Sequence, residues 1–347
     1  MAPGAPVPMI SVRHLATVRD LWLRACLLVA VVALASIHEL WLAMMAGWFL
    51  CRWKSPELHA SLLTWCGIAG TWLAFRALPG WAWEWIPRVW LLIMVCHVGY
   101  MLYVLWTLPR DHPFFSRDTL LNIKRVKSSL GSPAISAISL ALTAPFCPLW
   151  LWPVLAVGLY ITWAWTAFIG VAIALSWMYP QWAGLPLLVV IALLALWLTT
   201  WTVRKFNWRG QRWMEWTPRG DSADSIINRL LLWVIIPRAW WTGGHRLLGN
   251  GPYSLEPELR RWASRCWIET PNGEAHCEWA QVLYEYGLVG VLAVSVFAGR
   301  VIWNAHLGDS YTAAFLAGLV MTFAHWSPAR HPAVALVVLA CAAGAMR

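Results

Sequence analysis

Two stretches limit what this chain can fold into: LLIMVCHVGYMLYVLWTL (Leu91–Leu108) and GLPLLVVIALLALWLTTWTV (Gly184–Val203). Neither holds a charged residue, and each is close to the ~20 residues an α-helix needs to cross a bilayer. Further apolar blocks run at about 21–50, 59–78, 133–162, 163–179, 281–303, 309–326 and 331–346. Blocks 21–50 and 133–162 are too long for one untilted span, so each holds two short helices or one long one. Pro145 and Pro148 favour a break in the second, because proline ends or kinks a helix. The pattern predicts an all-α integral membrane protein with about ten transmembrane helices. A β-barrel would instead show alternating segments of about ten residues.

Composition agrees. The chain of 347 residues is 60% hydrophobic and 12% charged, against about 25% charged in soluble domains. Its formal net charge is +10. Because the basic residues fall between apolar blocks and no nucleic-acid motif occurs, anionic membrane lipids or an anionic lipid-linked substrate are the expected partners. Thirty tryptophans suit the membrane interface, where the ring is apolar and the N–H stays wet. Trp81, Trp83, Trp106, Trp150, Trp182 and Trp201 all sit near block ends. Arg13, Arg19 and Arg24 precede LLVAVVALAS, but apolar sequence continues through Leu50, which reads as an uncleaved first span with a cytoplasmic N-terminus.

Residues 204–280 break the pattern. They hold 11 Lys/Arg and 8 Asp/Glu, 19 of the 42 charged residues in the chain, with nine tryptophans. The expected organisation is therefore transmembrane helices over 1–203, a loop subdomain over 204–280 with short helices, and three transmembrane helices over 281–347. An odd number of spans before Arg204 makes the loop periplasmic; the basic NIKRVK segment (Asn122–Lys127) then lies outside as well, against the positive-inside tendency. Within the loop, DSADSIINRLLLWVIIPRAWW reads as an interfacial helix, capped by Asp221, Ser222 or Asp224 and limited by Pro237. Arg229 and Trp233 are four apart and share one face, which on spacing alone is an interfacial anchor pair.

The candidate chemistry lies in this loop. The eight cysteines form no CxxC pair, and no HExxH, G-x-S-x-G or P-loop occurs, so no metal or cofactor is expected. Cys266 and Cys277 are the two loop cysteines, and a periplasmic location permits a disulfide between them. Of ten histidines, His245 and His276 belong to the loop. His276 is flanked by Glu274 and Glu278, either of which can orient the ring or raise its pKa, as suits a general base for a hydroxyl.

LGNGPYS (Leu248–Ser254), followed by EAHCEWAQVLYEYGLVGVL, resembles the C-terminal region of the O-antigen ligase and polymerase superfamily. Gly249 and Gly251 match its G-x-G turn, His276 its histidine, Gln281 its glutamine, and Glu285, Gly287 and Gly290 the start of its membrane helix. NRLLLWVIIPRAW is similar to its Arg-x-x-x-Trp helix at Arg229 and Trp233, and SLGSPAISAISLAL (Ser129–Leu142) more weakly to its Gly-x-x-Asn-x-Asn segment. The resemblance implies a multi-pass protein of the bacterial inner membrane. It would transfer a glycan from undecaprenyl diphosphate to an acceptor glycolipid or glycan hydroxyl at the periplasmic face, with His276 activating the acceptor and Arg229 holding the diphosphate. Arginine suits that task because it binds phosphate bidentately and stays charged. The chain departs from the family in three ways. Cys277 stands where Asn follows the histidine, the two asparagines of the earlier segment are absent, and ITWAWTAFIG (Ile161–Gly170) lacks the Ser-Arg pair that opens a span. Arg204, Arg209 or Arg212 could replace that arginine; otherwise the chain is a silent relative that binds lipid-linked glycan or a polymerase.

Overall fold

The computed structural model describes residues 40–51, 58–109, 115–118, 123–126, 133–162, 164–185, 188, 189, 191, 222–266, 277–322 and 332–347. These are helical apart from a two-stranded antiparallel ribbon, β1 (Phe115–Asp118) and β2 (Ile123–Val126), which pairs Phe115 with Val126. The helices are α1 (Leu40–Cys51), α2 (Leu58–Arg76), α3 (Gly80–Thr107), α4 (Pro133–Thr143), α5 (Trp152–Thr162), α6 (Trp165–Met178), α7 (Ser222–Thr242), α8 (Leu255–Cys266), α9 (Glu278–Trp303), α10 (Ser310–Met321) and α11 (Pro332–Ala345). Among the described residues, α3 and α9 are the helices long and apolar enough to cross a membrane by length and composition. The block 133–162 is two helices, broken by short 3-10 turns around Pro145 and Pro148.

Contacts between helix ends sort the bundle into two faces. At the first, Tyr311 Oη donates to the Trp83 carbonyl (2.6 Å), Trp177 Nε1 to the His306 carbonyl (2.9 Å), and Arg76 to the Met346 carbonyl (3.0 Å). At the second, the Glu278 N–H donates to the Thr322 carbonyl (2.9 Å) and Trp279 Nε1 to Thr322 Oγ1 (3.0 Å). Helices α2, α6, α9 and α11 therefore end where α3 and α10 begin, and successive helices run in alternating directions. The ribbon packs Phe115 and Val126 beside Val104 and Leu108 at the far end of α3. It thus shares the second face with the start of α9.

Three apolar clusters hold these elements. One joins α3, α4, α5, α6 and α10, and a second joins α1, α2, α9, α10 and α11. Fully buried alanines (Ala137, Ala167, Ala174, Ala313, Ala317) let the helix backbones approach closely. The third cluster sets Leu232, Ile236 and Trp240 of α7 and Leu255 and Leu259 of α8 against Cys277, Ala280 and Tyr284 of α9.

Pro237 does not end α7: the helix runs on to Thr242. Buried Trp240 anchors the last turn in the third cluster, and Thr242 Oγ1 bonds back to the Arg238 carbonyl at 3.0 Å. Packing therefore carries the helix past a local breaker. Helix α9 starts at Glu278, and its third-cluster face runs on to Tyr284.

Candidate functional site

Helix α9 is broken. Gly287 sits at φ 67°, ψ −160°, between two otherwise helical halves, a region that only glycine adopts without strain. The segment Arg246–Gly251 fills the gap from outside. The Asn250 and Gly251 N–H groups donate to the Tyr284 and Glu285 carbonyls, both at 2.9 Å. The Leu288 and Val289 N–H groups donate to the Arg246 and Leu247 carbonyls at 3.1 and 3.2 Å. Four hydrogen bonds that the break exposes are thus remade by one turn, as a buried backbone requires. Asn250 Nδ2 adds a contact to the Tyr284 carbonyl at 3.3 Å.

Two glycines make this docking possible. A Cβ on Gly249 would strike the Glu285 carbonyl and the Gly287 nitrogen, and one on Gly287 would strike the Gly249 nitrogen and the Leu247 carbonyl. Gly249 (φ 66°) and Gly251 (φ 103°) also need positive φ for the turn itself. The Leu248 carbonyl accepts from Trp48 Nε1 at 2.9 Å, which ties the turn to α1.

Below the turn lies a buried polar group. Gln281 and Glu285, 6% and 3% exposed, are one helical turn apart, with Gln281 Nε2 donating to Glu285 Oε1 at 3.3 Å. Next to them Tyr286 Oη meets Ser61 Oγ at 2.8 Å and accepts from Trp65 Nε1 at 3.1 Å. The residues expected to form the turn and to open the helix (Gly249, Gly251, Gln281, Glu285) therefore converge on one break. The G-x-G turn and the glutamine and helix-entry positions of the resemblance pointed to them. Ser61 and Trp65 had no sequence signal, being more than 200 residues away.

The bend turns the halves of α9 toward a shared cavity of about 120 Å³. Trp279 and Val282 of the first half and Ala293 and Phe297 of the second line it, together with Trp41, Trp65 and Phe315. In a straight helix Glu278 and Phe297 would stand roughly 28 Å apart. The polar lining is Glu278 and Thr322, next to the start of α9.

Cys277 is the N-cap residue of α9, 6% exposed and a free thiol. Burial raises its pKa, the largest influence on it. Its side chain belongs to the apolar third cluster, a setting that suits a thiol.

Arg229 lies on α7 one turn before Leu232, with its side chain outside the described residues; Trp233 is 39% exposed. His276, Arg204, Arg209 and Arg212 lie outside the described residues. Among the described residues no group of three or more His, Cys, Asp or Glu could hold a metal ion. Comparison of the chain with family models, with curated proteins and with solved structures finds no match.

Proposed function

We propose that this chain is a multi-pass membrane protein that transfers a glycan from undecaprenyl diphosphate to an acceptor hydroxyl, in the manner of an O-antigen ligase. The observation that carries the reading is the docking of the Gly249–Gly251 turn on the Gly287 break. Motif residues some 35 positions apart make one structure there. Bilayer embedding is supported by the apolar exterior. α3 leaves Leu92, Ile93 and Tyr103 largely exposed, with Trp81 (68%) and Trp106 (93%) near its two ends, as interfacial anchors would be. In this reading the face that carries the ribbon, α7 and α8 is periplasmic, and about ten helices cross the inner membrane.

The apolar cavity under the bend offers space for one segment of a polyprenyl chain, with the diphosphate at the surface near Arg229. His276 takes the proton of the acceptor hydroxyl as it attacks the anomeric carbon, and the lipid diphosphate leaves. The test uses membranes that contain the protein, undecaprenyl-diphosphate glycan and mixed acceptors. His276→Ala should cut donor consumption by about 10²-fold or more. Consumption unchanged in that variant removes His276 from the mechanism, and product size separates single transfer from polymerisation.

A second reading, a silent relative that binds lipid-linked glycan or a polymerase, is favoured by one observation. Where the superfamily opens a span with Ser-Arg, Thr162 is fully buried and its hydroxyl donates to the Gly158 and Leu159 carbonyls at 2.9 and 3.2 Å. It is therefore turned away from any substrate. No donor consumption with any acceptor would select this reading.

A further inference from the structure

The outer side of α7 and the turn that follows it carry a strip that the transfer reading does not use. Val234, Arg238 and Trp241 are exposed at helical spacing, and His245, Arg246 and Leu247 continue the strip. Val234, Trp241 and Leu247 expose 67%, 56% and 66% of their surface, although the opposite side of the same helix is buried through Leu232, Ile236 and Trp240. The Arg246 guanidinium stacks on the Trp241 ring, 3.9 Å from its centroid, and its Nε donates to the Trp241 carbonyl at 3.0 Å. Arg238 lies one turn before Trp241. The ring thus has a guanidinium on one side and a second arginine a turn away. Neither arginine forms an ion pair among the described residues.

We propose that this strip binds the phosphodiester headgroup of an anionic bilayer phospholipid. Two cations without acidic partners among the described residues call for an anion, and guanidinium groups bind phosphate oxygens through fixed pairs of N–H donors. The apolar half of the strip specifies a lipid rather than free phosphate. Trp241, Val234 and Leu247 can rest among the upper acyl carbons, while the arginines reach the headgroup above them. Because the Arg246 and Leu247 carbonyls hold the second half of α9, a lipid bound here would also steady the turn on the helix break. The inference rests on the membrane location proposed above but not on the transfer reaction.

The test is native mass spectrometry of the full chain taken from phosphatidylcholine nanodiscs containing graded phosphatidylglycerol. Wild type should retain phosphatidylglycerol in preference to phosphatidylcholine, and 10 mM inorganic phosphate should not displace it. Arg238→Gln should weaken retention by roughly fivefold, the worth of one arginine at an anionic surface, and Arg238→Gln with Arg246→Gln should abolish the preference. Because Arg246 also closes α7, the single Arg238→Gln variant keeps the test valid if the double variant fails to fold. Arg300→Gln, at the other end of α9, should change nothing.

Equal losses in Arg300→Gln would overturn the site in favour of diffuse charge attraction, and retention unchanged in Arg238→Gln would overturn it outright. Displacement by inorganic phosphate would replace it with a simple anion site. Retention of neutral glycolipid independent of both arginines would make the strip a sugar-stacking surface instead. A protein that retains no lipid and stays soluble without detergent would overturn the membrane location itself.

Discussion

At Gly287 a single missing methyl decides whether α9 can bend. The residue is held at positive φ against the backbone of Gly249. Gly287→Ala must take up a strained conformation, at a cost of about 1–3 kcal/mol, and also drive the two backbones apart. We expect a fall in thermal stability, measured in detergent, larger than that of Gly299→Ala, where a Cβ meets nothing within 4 Å. Tyr286→Phe removes the oxygen that Ser61 and Trp65 share, leaving the buried Ser61 hydroxyl and the half-buried Trp65 N–H without that partner. The expected loss is about 1–3 kcal/mol, read from the same melting curves, and an unchanged midpoint would show that water or rearrangement replaces the phenol. The glycines of this site were legible because a G-x-G turn demands special backbone angles. Ser61 was not, since nothing near it in sequence reports a tyrosine 225 positions later.

Helix α9 shows what an element can hide. Its sequence reads as one apolar span, and only the glycine at 287 hints that it is two. Docking of the Arg246–Gly251 turn supplies the hydrogen bonds that make the break affordable at that depth. Its cap follows the same logic. Cys277 sits where the helix begins, and its burial raises the thiol pKa. A raised value leaves a smaller share of the thiol as thiolate than an ordinary cysteine has at the same pH. Maleimide should therefore label Cys277 slowly in folded protein and fast after denaturation, as followed by peptide mass spectrometry; rapid native labelling would contradict the buried cap. α7 teaches the converse lesson about Pro237. Local propensity ends a helix there, yet Trp240 continues it, because the burial of one indole in the third cluster outweighs one lost backbone bond.

Across the whole molecule, the alternation of helix directions puts the ribbon and the α7–α8 segment at one face and the 304–309 connection at the other. In sealed inner-membrane vesicles, a single cysteine at Arg117 and one at Glu256 should share the same accessibility to an impermeant thiol reagent, and one at Leu307 the opposite. Labelling of Arg117→Cys and Leu307→Cys from the same side would break the arrangement.

By itself the sequence determined the helical class, the break at Pro145–Pro148 and the turn glycines, because long apolar runs, prolines and glycines act through the backbone of their own neighbourhood. Only the tertiary structure decided that the Gly249 turn plugs the Gly287 break, that Tyr286 is held by Ser61 and Trp65, and that Cys277 is a buried cap. Those outcomes depend on which distant surfaces meet, and many sequences of equal hydrophobicity would satisfy the local rules without bringing them together.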